Sequence, residues 1–247
     1  NLFVPENKYI SEASTFNLTD EVFTQDMIAY FEGMDLAQIL RVKLSDGKYG
    51  DYETFKDSFE SATDLDFEGD VLKFLNRDYA FAVYDNGSIF PGILLVADAS
   101  SKPDAAKKVV ESLNNQVASI VDGLTASYVS EEDSLNVASR KKLVIDEGVG
   151  YMMEIDFGLI LTSVQSEKFT FSFGLTGDNL FFISTYKDFS EAFSTESLKS
   201  DDAHVLALSK LSGKKSFSRA YILFKPLKDF MDRLFDYRAD VEKLVAK

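Results

Sequence analysis

The sequence predicts an α+β fold in which antiparallel sheets are built from β-hairpins and helices pack on one face. The main evidence is a unit that occurs twice: two apolar segments joined by a tight polar turn, followed directly by a helix. A turn of Asp, Asn and Gly between two apolar segments is the strongest short-range signal of a hairpin. We therefore expect one α+β domain over residues 1–247.

The first unit lies near the middle of the chain. It consists of a strand at residues 79–84, the turn Asp85-Asn86-Gly87, a second strand at residues 89–97 and a helix that begins near Pro103. Proline is tolerated in the first turn of a helix, because an N–H at that position has no intrahelical partner. Apolar residues then recur at helical spacing from Val109 to Val121, which predicts one buried helix face.

The second unit repeats this order later in the chain. It consists of a strand at residues 169–173, a turn at 174–179, a second strand at 180–185 and a helix at 187–193. The turn contains Asp178-Asn179, as the first turn contains Asp85-Asn86. Two similar halves, residues 1–122 and 123–247, are therefore one arrangement that we consider for the single domain.

The remaining elements are assigned from hydrophobic spacing and from the signals that begin and end helices. Before the first unit we expect a strand at 8–18, a short helix from Asp20 or Thr24 to Phe31, and a segment at 36–44 that fits helix or strand. A polar helix at 51–61, an acidic loop at 64–70 and a short helix at 71–75 follow. Elsewhere we expect strands at 125–129, 142–145, 150–164 and 219–224, and helices at 201–211 and from Pro226.

Charge and composition limit the classes of function. The 247 residues contain 41 acids and 26 bases, which gives a formal net charge of −15. Phosphates would be repelled by such a chain, so we expect no nucleic-acid partner and no attraction to an anionic membrane surface. Hydrophobic residues make up 45% of the chain, which is enough for a sizeable core and excludes general disorder.

The chain contains no cysteine, and this removes disulfides, thiolate chemistry and Cys-ligated metal sites. A chain of this length does not need disulfides, so either side of a bacterial membrane is compatible with the composition. We expect no transmembrane segment in this chain, since no stretch reaches the roughly 18 apolar residues needed to span a bilayer. No signal peptide is visible at the N-terminus.

One acidic segment resembles the start of a calcium-binding loop. Asp64, Asp66, Glu68 and Asp70 alternate along the chain, and Gly69 follows at the sixth position. Oxygen ligands at alternate positions suit calcium, but the twelfth position is Leu75, where an EF-hand requires a bidentate Glu. The sequence therefore predicts a weak cation site of another type at these four residues, with a solvated acidic loop as the alternative.

Other patterns that carry chemistry are weaker. Glu154 and Asp156 lie two apart on an expected strand, so both carboxylates face the same side, either solvent or a groove. His204 is the only histidine, and no nucleophile motif accompanies it. Phosphate-binding glycine loops are absent, and we expect no cofactor. Phenylalanines on the second hairpin fit either a core or an apolar pocket: Phe169, Phe171, Phe173, Phe181 and Phe182.

Several segments together resemble a family of bacterial extracytoplasmic proteins that is described only as a domain of unknown function. These are residues 77–84 (RDYAFAVY), 91–98 (PGILLVAD), 103–113 and 177–184. The resemblance rests on hydrophobic and turn patterns and covers most of the chain after residue 70. It implies a secreted or membrane-tethered globular domain, and it brings no catalytic residues.

We therefore expect a non-enzymatic extracytoplasmic binding or interaction module, secreted, periplasmic or tethered to the surface, with an unknown protein or cell-envelope partner. A cytoplasmic location stays open. Three other functions compete with this expectation. They are the binding of an apolar, lipid-like ligand in a Phe-lined pocket, hydrolysis by a carboxylate pair, and cation-dependent adhesion through the acidic residues 46–70.

Overall fold

The computed structural model of the protein describes residues 27–45, 51–88, 90–128, 137–145, 147–160, 168–186 and 218–245. The strands are β1 (Met27–Met34), β2 (Asp78–Tyr84), β3 (Gly92–Asp98), β4 (Ala138–Leu143), β5 (Val149–Asp156), β6 (Lys168–Leu175), β7 (Leu180–Ser184) and β8 (Ser218–Ile222). The helices are α1 (Leu36–Ser45), α2 (Tyr52–Thr63), a π-helix (Phe67–Leu72), α3 (Pro103–Tyr128), α4 (Phe157–Ile160) and α5 (Phe224–Val245).

The eight strands form one antiparallel sheet in the order β4-β5-β6-β7-β3-β2-β1-β8. Both expected hairpins are confirmed: Tyr79 pairs with Ala97 in the first, and Phe173 pairs with Ile183 in the second. The hairpins meet at the centre of the sheet, where Val96 lies opposite Phe182. The α+β fold built from antiparallel hairpins is therefore confirmed.

The helices α1 to α4 and the π-helix pack on one face of the sheet, called here the helix face. Its core joins strand residues such as Tyr79, Phe173 and Phe181 to buried residues of α3 and of the segment around the π-helix. The opposite face has a second core of buried residues: Met27, Tyr30, Ala80, Ala82, Tyr84, Leu94, Val96, Phe182 and Tyr186. Both faces of the central strands are thus covered, which agrees with the continuous apolar sequence of β3.

Two expected elements are wrong because tertiary contacts override local signals. The segment expected to form a helix up to Phe31 is instead β1 from Met27 onward, since it pairs with β2 on one side and with β8 on the other. The expected strand at 125–129 is instead the end of α3, which continues through Gly123 to Tyr128. Leu124 packs against the core and holds this last turn of the helix.

Other expectations need smaller corrections. The expected acidic loop and short helix form the π-helix, whose first turn is capped when Asp66 accepts a hydrogen bond from Gly69 N. Residues 36–44 are helical. The strand expected over 150–164 ends at Asp156, which accepts a hydrogen bond from Gly158 N at 3.0 Å and turns the chain into α4. The last helix begins at Phe224, two residues before Pro226.

Some expectations fall outside the described residues, namely the strand at 8–18 and the helices at 187–193 and 201–211. The division into halves 1–122 and 123–247 stays a prediction. The boundary between the two halves lies inside the continuous helix α3, so this helix would belong to both halves.

The aromatic ring of Phe182 lies over a glycine pair on neighbouring strands. Gly174 pairs with Phe182 and with Gly150. A Cβ added at Gly174 would lie 2.4 Å from Val149 O and 2.7 Å from Phe182 Cζ. These distances are too short for real contacts, so the small residue is what allows the ring to pack on the sheet.

We expect the substitution Gly174→Ala to destabilise the protein by about 1–3 kcal/mol, since the new methyl group overpacks this part of the core. The matched control is Gly123→Ala in α3, where an added Cβ meets nothing within 4 Å. The control should stabilise the protein by about 0.5–1 kcal/mol, because alanine favours the helix over glycine. Urea unfolding measures both changes, and equal effects of the two substitutions would contradict this account of the packing.

Candidate functional site

At the predicted cation site, the carboxylates of Asp66, Glu68 and Asp70 make contacts that serve local structure. Asp64 adopts a left-handed φ of 55° at the end of α2, and its N–H donates to Glu60 O at 2.9 Å. Asp66 caps the π-helix, and its own N–H donates to Asp70 Oδ2 at 3.0 Å. Glu68 points instead toward α1 and α2. The alternation along the sequence therefore does not gather the four side chains around one point.

Glu68 forms a three-residue network that joins α1, α2 and the π-helix. Arg41 Nη2 donates to Glu68 Oε2 at 2.6 Å, and Arg41 Nε donates to Oε1 at 3.3 Å. The Tyr52 hydroxyl donates to Glu68 Oε1 as well. The arginine and glutamate side chains are 40% and 38% exposed, so solvent screens the ion pair and the network mainly positions the three elements.

The network moves the pKa values of its members in opposite directions. The pKa of Glu68 lies below its usual value, because Arg41 and then Tyr52 donate hydrogen bonds to the carboxylate. The pKa of Tyr52 is raised to about 12, first by burial of the phenol and then by its hydrogen bond to Glu68. Neither shift brings a group near neutral pH for acid–base work.

Asp70 is paired with a cation from a distant part of the sequence. Lys108 on α3 donates a hydrogen bond to Asp70, and this bond is the main reason that the pKa of Asp70 lies below its usual value. In the described part of the chain, no group of three or more His, Asp or Glu residues is placed to hold a metal ion. The cation site at residues 64–70 stays a prediction. The contacts of Glu68 and Asp70 favour a role in local structure instead.

Calcium titration separates these two alternatives. A bound cation would raise the melting temperature by mass action. We expect no rise in millimolar calcium, since Asp70 is paired with Lys108 and Glu68 with Arg41. A concentration-dependent rise that is lost in the variant Asp66→Asn would instead establish ligation by the acidic segment.

The raised pKa of Tyr52 predicts a loss of stability at alkaline pH. A pKa above the unfolded value of 10.0 means that the contribution of Tyr52 is fully present below pH 10 and is lost as the pH rises toward about 12. We expect Tyr52→Phe to lose less stability than the natural chain over this interval, as measured by urea midpoints. The control Tyr237→Phe changes an exposed tyrosine on α5 and should keep the natural slope.

The pair Glu154 and Asp156 does not form a matched pair of free carboxylates. Lys141 Nζ lies 3.4 Å from Glu154 Oε2, across the β4–β5 ladder. Asp156 accepts the N–H of Gly158 at the start of α4. The two residues share one side of β5, as expected, but each serves a different local contact. His204 lies outside the described residues.

The structure shows one buried carboxylate that the sequence did not suggest. Glu32 on β1 is fully buried, and the Tyr30 hydroxyl donates to its Oε2 at 2.6 Å. Both side chains lie on the face opposite the helices, two residues apart on one strand. The alternation of β1 would have revealed this pair, had the segment not been interpreted as a helix.

The phenylalanines of the second hairpin belong mainly to the core. Phe173, Phe181 and Phe182 are fully or almost fully buried, and Phe74 packs edge-on against Phe181 at 5.0 Å between ring centroids. Phe169 and Phe171 are half-buried and pack against the same helix-face core. These contacts are those of a filled interior and not of a ligand pocket.

One part of the helix face remains open to solvent. Its residues form what we call the apolar strip: Ala29, Phe81, Val83, Ile93 and Ile222. The register places them side by side, since Ala29 pairs with both Val83 and Ile222, and Val83 pairs with Ile93. Ile93 and Ile222 are 39% and 57% exposed, and the other three side chains are half-buried.

The strip is open because the helices cover the helix face unevenly. The long helix α3 packs across β4, β5 and β6 at one side of the sheet. The helix α1 is held at one end of the strands, where Ala37 N donates to Leu75 O at 3.0 Å. Neither helix reaches the far end of β1, β2 and β3, where the strip lies. An exposed apolar patch of this kind is typical of an interaction surface.

Comparison of the chain with protein-family models, with curated proteins and with solved structures finds no match. Among the described residues, none of the helices combines the length and the apolar character that a membrane span requires.

Proposed function

We propose that this chain is a non-enzymatic interaction module that binds a protein partner through the apolar strip. The observation that carries the proposal is the row Ile222–Ala29–Val83–Ile93, which crosses four paired strands on one face and ends in exposed isoleucines. Exposed aliphatic side chains in a continuous row cost solubility, so their retention favours a binding role. The carboxylates of Asp66, Glu68, Asp70 and Glu154 have structural partners, which supports a role without catalysis.

A polypeptide fits this surface better than an acyl chain does. Small apolar ligands bind in concave sites that bury most of their surface, whereas Ile93 and Ile222 lie open to water. The strip also ends at β8, the last strand of the sheet, whose outer backbone groups need hydrogen-bond partners that a lipid tail lacks. The net charge of −15 favours a partner that is uncharged or basic around its apolar contact.

The extracytoplasmic location belongs to the same proposal. It is supported by the resemblance of residues 77–84, 91–98 and 103–113 to a bacterial extracytoplasmic family, and the absence of cysteine is compatible with it. The partner on this view is another protein of the cell envelope or of the extracellular space.

Photo-crosslinking from the strip tests the proposal. A photoreactive phenylalanine at Ile93 should form one discrete protein adduct in cells that naturally make the chain. The same group at Val144, which is fully exposed but lies off the strip, should not form that adduct. When Val83→Lys is added to the chain that carries the photoreactive group at position 93, the adduct yield should fall about tenfold, since the lysine places a charge at the centre of the contact.

The controls make each result decisive. Urea unfolding must show that the Val83→Lys variant stays folded, and it should, because the side chain is half-buried and lies beside solvent. An adduct formed equally from Ile93 and Val144, or no adduct at all, would contradict docking at the strip. An adduct whose mass is that of a lipid would replace the proposal by the binding of an apolar ligand.

A further inference from the structure

We propose that the outer edge of β8, with which no strand of the described residues pairs, binds the β8 of a second copy of this chain and joins two sheets across a two-fold axis. This inference goes beyond the docking of another protein on the strip and does not depend on it. It is argued from the unequal protection of the two sheet edges, from the direction of the backbone groups of β8 and from the path of α5.

The two edges of the sheet differ in their side chains. The edge strand β4 carries three consecutive exposed cations, Arg140, Lys141 and Lys142. Charged side chains, lysine above all, protect an edge against pairing with another strand. At the other edge Ala220 and Ile222 of β8 are exposed on the helix face and carry no charge, and Arg219 is the one charged residue in the sequence of β8.

The backbone of β8 presents hydrogen-bonding groups outward at these same residues. Leu223 N donates to Ile28 O at 2.8 Å, so residue 223 faces β1. Hydrogen-bonded and non-hydrogen-bonded pairs alternate along an antiparallel ladder. The pairs of Ile222 with Ala29 and of Ala220 with Phe31 are therefore of the non-hydrogen-bonded kind. Their N–H and C=O groups point away from β1, toward the free edge.

These groups permit a self-complementary register. If Ala220 lies opposite its own copy, then Ser218 lies opposite Ile222 of the second copy, and all outward groups find partners in about six hydrogen bonds. Two identical β8 strands satisfy this register without a strand from another protein. We therefore propose a second copy of the chain as the binding partner at this edge.

The chain after β8 leaves this edge accessible. The helix α5 begins at Phe224, and Arg233 on it forms an ion pair with Asp85 at the end of β2. The helix thus runs across the ends of β1 and β2, away from the free edge. In this register Ile222, the end of each apolar strip, would lie opposite Ser218 of the second copy.

The charge of the chain predicts how the association depends on salt. Each copy carries a net charge of −15, so the two copies repel each other at low ionic strength. We expect the dissociation constant to fall as salt is added, in contrast to an association driven by ion pairs.

Sedimentation of the purified full chain tests the inference. We expect a species of twice the 27.7 kDa mass to form with increasing concentration and salt. The variant Ala220→Pro removes one outward N–H and should raise the dissociation constant at least about tenfold, while the pairing with β1 is kept. The control Ala220→Val keeps the N–H and should dimerise like the natural chain.

A single cysteine gives a second test that does not depend on proline being tolerated. The chain has no cysteine, so Ala220→Cys provides one thiol per copy. Residues opposite each other in a hydrogen-bonded pair have Cα atoms about 5.5 Å apart, within reach of a short thiol crosslinker. Efficient crosslinking of Ala220→Cys, but not of Val144→Cys, would support the pairing.

Two results would overturn the inference. One is a chain that stays monomeric at high salt up to about 100 μM, since a functional edge contact should bind more tightly than this. The other is a dimer that Ala220→Pro leaves intact and that Ala220→Cys does not crosslink. Neither result bears on the docking of another protein at Ile93, which is measured separately by photo-crosslinking.

Discussion

The antiparallel pairing of β3 with β7 is the interaction on which the rest of the structure depends. It joins the two hairpins, and Val96 and Phe182 at its centre are fully buried. Hydrogen bonds in a buried ladder are satisfied only if the whole register is kept. Phe182 in turn requires the glycines beside it, because its ring occupies the space that a side chain at Gly174 would take.

The same sheet explains why the apolar strip is left partly open. The long helix α3 covers β4, β5 and β6, and the shorter elements between β1 and β2 cover one end of the strands. At the far end of β1, β2 and β3 the aliphatic side chains stay partly open, although α5 contacts β1 and its Arg233 pairs with Asp85 there. The apolar strip therefore reflects how incompletely the described helices cover this part of the sheet.

The acidic character of the chain has a structural side. Glu68, Asp70 and Asp85 each pair with a cation that is remote in the sequence: Arg41, Lys108 and Arg233. These pairs fix the π-helix against its neighbours and α5 against β2. The remaining acids keep the net charge strongly negative, so acidic molecules are repelled from the surface of the chain at low salt.

The sequence by itself determined the elements whose signals are local. The turn at Asn86-Gly87, the proline at the start of α3 and the Phe-rich second hairpin predicted both strand pairs and the α+β class, because these signals act over a few residues. Composition also determined the absence of cysteine chemistry and the strong negative charge. None of these features required knowledge of contacts between distant segments.

Only the tertiary structure decided the features that depend on such contacts. Residues 27–31 are a strand because β2 and β8 pair with them, and Gly123 stays helical because Leu124 reaches the core. The partners of the acidic segment, Arg41 and Lys108, lie on other helices. Because the sequence does not show these partners, the alternation of acidic residues at 64–70 suggested a bound metal cation. The apolar strip comes from three separate parts of the chain, and hydrophobic spacing cannot tell which apolar strand residues a helix will cover, since that is fixed by where the helices come to lie.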